Sequence, residues 1–75
     1  MENLKTKAGN LLREAREKRG LTQSEAGELM KGKVYQGRLS QYENGKGNMT
    51  LETFEYLMRD IYKYEPEIII KKLKG

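Results

Sequence analysis

The chain has no cysteine and no histidine, and a single proline, in 75 residues. Without cysteine there is no disulfide framework and no thiolate metal site, which fits a reducing compartment. Without histidine the commonest general base and metal ligand is missing. Long apolar runs are missing too, and none approaches the ~20 residues of a membrane span. The opening "MENLKTKAGN" lacks the apolar core of a secretory signal. Ser24 and Ser40 have no histidine to activate them, and Glu25 and Glu52 fit helix-cap roles. No glycine-rich phosphate loop or cluster of metal ligands stands out. The expectation is a cytoplasmic, non-enzymatic protein with no cofactor, no metal and no small-molecule substrate.

A chain of this length has room for one domain with one small core, burying only about 60% of the surface its unfolded form exposes. What is plentiful is charge. There are 15 Lys and Arg against 11 Asp and Glu, a net charge of +4. That surplus makes an anionic partner plausible, although a few extra charges also serve solubility.

Apolar spacing reads as helix nearly throughout. Leu4, Ala8, Leu11, Leu12 and Ala15 share one face of a first helix, which Gly20 stops just after Lys18 and Arg19. Gly9 costs that helix up to ~1 kcal/mol relative to Ala. "TQSE", Thr22 to Glu25, is a capping box that opens a short second helix with Ala26, Leu29 and Met30 inward. "KGK", Lys31 to Lys33, breaks it.

"YQGRLSQYENGKG", Tyr35 to Gly47, holds an Asn-Gly pair, a strong hairpin signal. A hairpin needs alternating apolar and polar residues on both flanks, and "KGNMT" offers no partner strand. Tyr35, Leu39 and Tyr42 recur at i, i+4 and i+7, so the stretch reads as a helix ended by Asn44-Gly45 in the left-handed conformation. Its other face carries Gln36, Gly37, Arg38, Ser40 and Gln41. Amides and arginine pair bidentately with adenine and guanine edges, whereas an ordinary solvated face is richer in Glu and Lys.

Thr50 caps a fourth helix with Leu51, Phe54, Leu57, Met58 and Ile61 as its apolar stripe. After it, "PEIIIKKL" is either a fifth helix opened by Pro66 or an isoleucine-rich strand. The expected fold is a single compact all-α domain of four to five helices over residues 1–75. Residues 22–44 form a helix-turn-helix, with small Ala26 and Gly27 where its two helices cross; a plain αα-corner is the structural alternative.

"LREAREKRGLTQSEAGELM" followed by "VYQGRLSQYENGKGNMTLETFEYL" resembles the Cro/phage-repressor (XRE-like) family of helix-turn-helix DNA-binding proteins. The resemblance covers Leu12 to Tyr62 and rests on Leu-Thr-Gln paired with Glu-Asn-Gly about twenty residues later. It implies a lambda-repressor-like fold and a regulator, repressor or controller, of double-stranded DNA. The recognition helix, about 35–43, would enter the major groove. By the resemblance, Gln36, Gly37, Arg38, Gln41 and Tyr35 face base edges. Thr22, Gln23, Ser40, Asn44, Gly45 and Lys46 are placed at phosphates, and Arg16 and Glu43 at a structural salt bridge. Family members usually bind palindromic sites as dimers. Residues 65–75, with Ile68, Ile69, Ile70 and Leu73, are the candidate dimerisation element, against the simpler reading that Ile68 and Leu73 complete the monomer core. The size suits a Cro-like repressor or a restriction–modification controller, and "GKGNMTLE" looks slightly more like the latter.

The sequence departs from the family in three places. Two extra residues in "MKGKV" separate Gln23 from Glu43 and lengthen the turn. Gly37 stands where a base-reading side chain is usual; it either permits close approach or, the favoured reading, weakens the helix. Ala26 replaces a larger aliphatic residue, and Tyr35 is a candidate to fill the space beneath it, or else to lie against a phosphate or a thymine methyl. A different class also fits the fold, a protein-interaction module such as an antitoxin or adaptor. Single-stranded RNA binding suits the sequence less well, because most of the tyrosines lie at apolar helical spacing.

Overall fold

A computed structural model describes residues 4–74. Five α-helices follow one another, and there is no strand among the described residues: α1 Leu4–Lys18, α2 Gln23–Leu29, α3 Gln36–Glu43, α4 Leu51–Tyr56 and α5 Pro66–Lys74. A π-helical turn, Leu57–Ile61, continues α4.

The helix boundaries follow from local chemistry. Gly20 at φ +69° closes α1: its N–H donates to the Glu17 carbonyl at 2.9 Å, and the Leu21 N–H donates to that of Arg16 at 3.1 Å. This pair of bonds satisfies carbonyls that the helix end leaves free. Thr22 and Glu25 form the expected capping box, with reciprocal bonds of 3.1 and 2.8 Å. The Thr22 backbone N–H, and less strongly its side chain, hold the Glu25 carboxyl below its usual range. Gly45 at φ +73° closes α3 in the same way as Gly20 closes α1, with Lys46 N–H on the Gln41 carbonyl at 2.8 Å. Asn44 itself stays at φ −92°, so only the glycine takes the left-handed conformation. Thr50 caps α4 through the Thr53 N–H at 3.0 Å, and Pro66 opens α5 as a helix rather than a strand.

The core gathers Leu12, Ala15, Ala26, Met30, Leu39, Phe54, Leu57, Met58, Tyr62 and Ile69, all buried. Each large side chain sealed there contributes about 1.5–3 kcal/mol relative to exposure. Several inward assignments need correction. Leu29 is 49% exposed, because α2 ends at that residue. Leu51, the first residue of α4, is 71% exposed. Tyr35 is not core; Ala26 is sealed in the same cluster as Met30, Val34 and Leu39 instead. Of the three adjacent isoleucines, Ile68 and Ile70 are exposed and Ile69 is buried in the core, so Ile69 rather than Ile68 joins Leu73 in packing against the rest of the monomer.

Candidate nucleic-acid interface

The α2–α3 turn runs from Met30 to Tyr35, with Lys31 at φ +51° and Gly32 at φ +84°. Its apolar ends, Met30 and Val34, are buried. Between them the turn is steadied from outside, by the Tyr56 hydroxyl donating to the Met30 carbonyl at 3.4 Å and by Lys33 lying 4.9 Å from the Tyr56 ring centre. After this turn α3 begins at Gln36, with Tyr35 as its N-cap.

Leu39, Tyr42 and Glu43 turn α3 inward, and Gln36, Gly37, Arg38 and Gln41 are left exposed. Ser40 is half-buried on its flank. Gln36 sits beside α2, with its Cβ 3.4 Å from where a Cβ on Gly27 would be, so Gly27 is a contact surface at this crossing. Past the helix end, exposed Lys46 stands between two left-handed glycines, Gly45 and Gly47. The Gln41 side-chain oxygen lies near Gly47, which joins this loop to the exposed row of α3.

The helix-turn-helix domain family model matches residues 8–60. The chain belongs to that family. Comparison with curated proteins and with solved structures gave no significant match. The matched stretch holds all of α2, the turn and α3, and it makes the chain a helix-turn-helix domain of the DNA-binding kind, consistent with the XRE-like type. No helix among the described residues is long and apolar enough to cross a membrane.

The geometry of this helix-turn-helix is set from the C-terminal end of α3. The Glu43 carboxylate is buried and accepts two bonds from the Arg16 guanidinium, at 2.8 and 3.0 Å. Such a paired, charge-assisted contact fixes orientation as well as distance. Arg16 spends its remaining arm on the Leu21 carbonyl at 2.8 Å, tying the start of α2 into the same knot. The bond to Glu43 raises the Arg16 pKa further above its already high ordinary value. Gln23, read from the sequence as a phosphate ligand, donates to Glu43 at 3.1 Å through its amide nitrogen. An amide nitrogen carries two hydrogens, so one donor and the amide oxygen are left over. Thr22, beside it, is exposed at the α2 cap.

Beneath this knot, the Tyr62 hydroxyl is buried with no hydrogen-bond partner among the described residues. Burial, with a smaller contribution from Glu43, pushes it up to about 12. It therefore stays a neutral filler beside the buried pair.

Two residues that hold α3 were not recognised from the sequence. Half-exposed Arg13 donates to the Glu43 carbonyl at 3.2 Å and to the Asn44 side-chain oxygen at 3.0 Å. Gly9, taken as a helix penalty, is buried where α1 crosses α3: a Cβ there would collide with the Tyr42 carbonyl oxygen and come within 2.9 Å of that of Glu43. The available signal was spacing, since Gly9, Arg13 and Arg16 fall at i, i+4 and i+7 on one face of α1. Thr6 extends that face to Gly45, whose Cβ would stand 3.3 Å from the Thr6 Cα.

Proposed function

We propose that the protein is a sequence-specific, double-stranded DNA-binding transcriptional regulator of the Cro-like repressor or controller type, with α3 in the major groove. The observation that carries this reading is the set Gln36, Arg38 and Gln41, exposed on the outer side of a helix whose last residue, Glu43, is locked in a buried ion pair. Exposed amides and a guanidinium on a rigid helix are what base-edge recognition requires. Arg38 is suited to a guanine, and Gln36 or Gln41 to an adenine. Backbone contacts fall to Thr22, the free amide groups of Gln23, Ser40, and the loop Asn44, Gly45 and Lys46, which lies beyond the α3 C-terminus. Gly37 contributes no side chain to the reading row.

A homodimer on a palindromic site fits the dimensions. Half-sites lie about 34 Å apart, and the longest dimension of the domain is 31 Å, so adjacent turns have room for two copies. Ile68 and Ile70 are exposed on α5. Beside it, a groove of about 260 Å³ is lined by Leu4, Ala8, Met49, Leu51, Phe54 and Leu73 among others. Those apolar groups are the surface we assign to the second copy.

The test is selection from random duplexes at near-physiological salt, using wild type and an Arg38→Ala, Gln41→Ala double variant. A palindromic motif that the double variant loses is the expected result. Weak, sequence-indifferent retention by both proteins would reject the reading and leave the row to a protein partner. Specific affinity should fall with salt at a log–log slope of about 0.9 per phosphate contacted.

A further inference from the structure

Tyr35 is a large aromatic residue left 63% exposed at the N-terminus of the recognition helix. It occupies the N-cap position yet makes no capping bond with its side chain. Its ring is nevertheless placed. A Cβ on Gly37 would lie 3.0 Å from Tyr35 Cε2 and 3.5 Å from Cδ2, so the ring covers the space that a side chain at position 37 would fill. The Arg38 guanidinium carbon stands 5.8 Å from the ring centre. The hydroxyls of Tyr42 and, less strongly, Tyr35 raise the Arg38 pKa above its ordinary value. Gly37, the Tyr35 ring and the Arg38 guanidinium thus lie side by side at the start of α3.

We propose that Tyr35, Gly37 and Arg38 act as one composite reader: Arg38 takes a guanine while the Tyr35 ring packs on the 5-methyl group of a thymine in the neighbouring base pair. This rests on the DNA-reading role of α3 proposed above. A guanidinium that pairs with guanine O6 and N7 lies near the plane of that base, and the next base along the strand is stacked about 3.4 Å away. A ring beside the guanidinium is therefore brought to the adjacent step. The apolar group that the major groove offers there is the thymine methyl. Resting on Gly37, the ring has already lost part of its rotamer freedom, so little further ordering opposes the contact. Gly37 then has a specific purpose, which is clearance for the Tyr35 ring.

The test starts from the duplex that wild type selects. Each thymine in it is replaced singly by deoxyuridine, which removes the methyl group and leaves the pairing unchanged. Binding is measured for wild type, Tyr35→Phe and Tyr35→Ala, with circular dichroism to verify equal helix content. One thymine next to a guanine should, on replacement, weaken wild type and Tyr35→Phe about fourfold, the effect of one buried methyl. Tyr35→Ala should bind the two duplexes equally. If Tyr35→Ala keeps the same preference for thymine, the ring does not read the methyl. If Tyr35→Phe and Tyr35→Ala are equally weakened on every duplex, the hydroxyl serves a phosphate and the composite reader is wrong. If wild type selects no motif at all, the DNA-reading role fails and takes this inference with it, an outcome distinct from the other two.

Discussion

At its C-terminal end, α3 is gripped on several sides. Gly9 lets α1 touch its backbone, Arg16 and Gln23 bind the buried Glu43 carboxylate, and Arg13 holds the Glu43 carbonyl and the Asn44 side chain. At its N-terminal end, the same helix emerges from a turn whose Lys31, Gly32 and Lys33 are exposed, and Tyr35, Gln36, Gly37 and Arg38 all face solvent. The polar groups at one end are committed to each other, while those at the other end are available. A helix that reads a ligand needs both conditions, because a side chain can discriminate among bases only if its backbone cannot shift to accommodate the wrong one. The locked end supplies rigidity, and the open end supplies donors and acceptors.

The contrast is broken most severely by comparing two arginines. Arg16→Ala leaves Glu43 buried without its bidentate partner, a change expected to cost ~3–5 kcal/mol. A domain of this size has only about 4–11 kcal/mol of stability in total. Urea denaturation should therefore show Arg16→Ala to be marginally folded. Arg38→Ala, with its guanidinium in solvent, should shift stability by no more than about 0.5 kcal/mol. Equal effects of the two substitutions would mean that the ends of α3 do not differ as described.

Much of the domain was legible in the sequence because its determinants are local. The Thr22–Glu25 cap and the Gly20 and Gly45 stops each depend on residues within five positions, and all three form as local chemistry dictates. The less legible features depend on phase or on distant contacts. Ile68, Ile69 and Ile70 differ by about 100° each around a helix axis, and composition cannot say which points inward. The selection of Ile69 follows from how α5 lands on the rest of the domain. Leu29 and Leu51 lie at the ends of short helices, where periodicity loses its hold because the neighbouring turn that would bury them is absent. The candidate interface divides similarly. Its exposed amides were readable from residue type alone, and the Arg16–Glu43 pair from the family resemblance, whereas Gly9 and Arg13 acquire meaning only once α1 is seen to cross α3.

At Gly9 an added Cβ meets main-chain carbonyls of Tyr42 and Glu43, which cannot rotate away as a side-chain tip can. Gly9→Ala gains up to ~1 kcal/mol of helix propensity but should lose more than this by forcing α1 off α3, where overpacking typically costs ~1–3 kcal/mol. The expected net effect is destabilisation, with Tm lower by roughly 4–8 °C for each kcal/mol lost. If α3 reads DNA as proposed, specific DNA affinity should fall as well, since α3 is the helix displaced. A Gly9→Ala variant as stable as wild type would show that the crossing is looser than its geometry implies.

Gly37→Ala makes the same chemical change at the other end of α3 and should have the smallest effect on stability. Here the added Cβ meets the Tyr35 ring at 3.0 Å, and that exposed side chain needs to give way by only a few tenths of an ångström, which a main-chain carbonyl cannot do. The steric cost is small, and the gain in helix propensity, at most ~1 kcal/mol, offsets it. Thermal denaturation should therefore place Gly37→Ala within about 0.5 kcal/mol of wild type or slightly above it. DNA affinity should nevertheless change, because the ring is displaced from its place beside Arg38. A pair of glycine substitutions in which one lowers stability and the other alters only binding would separate the end that holds α3 from the end that reads. A large loss of stability in Gly37→Ala would instead mean that the Tyr35 ring helps to hold the helix, and that the open end is part of the fold's support.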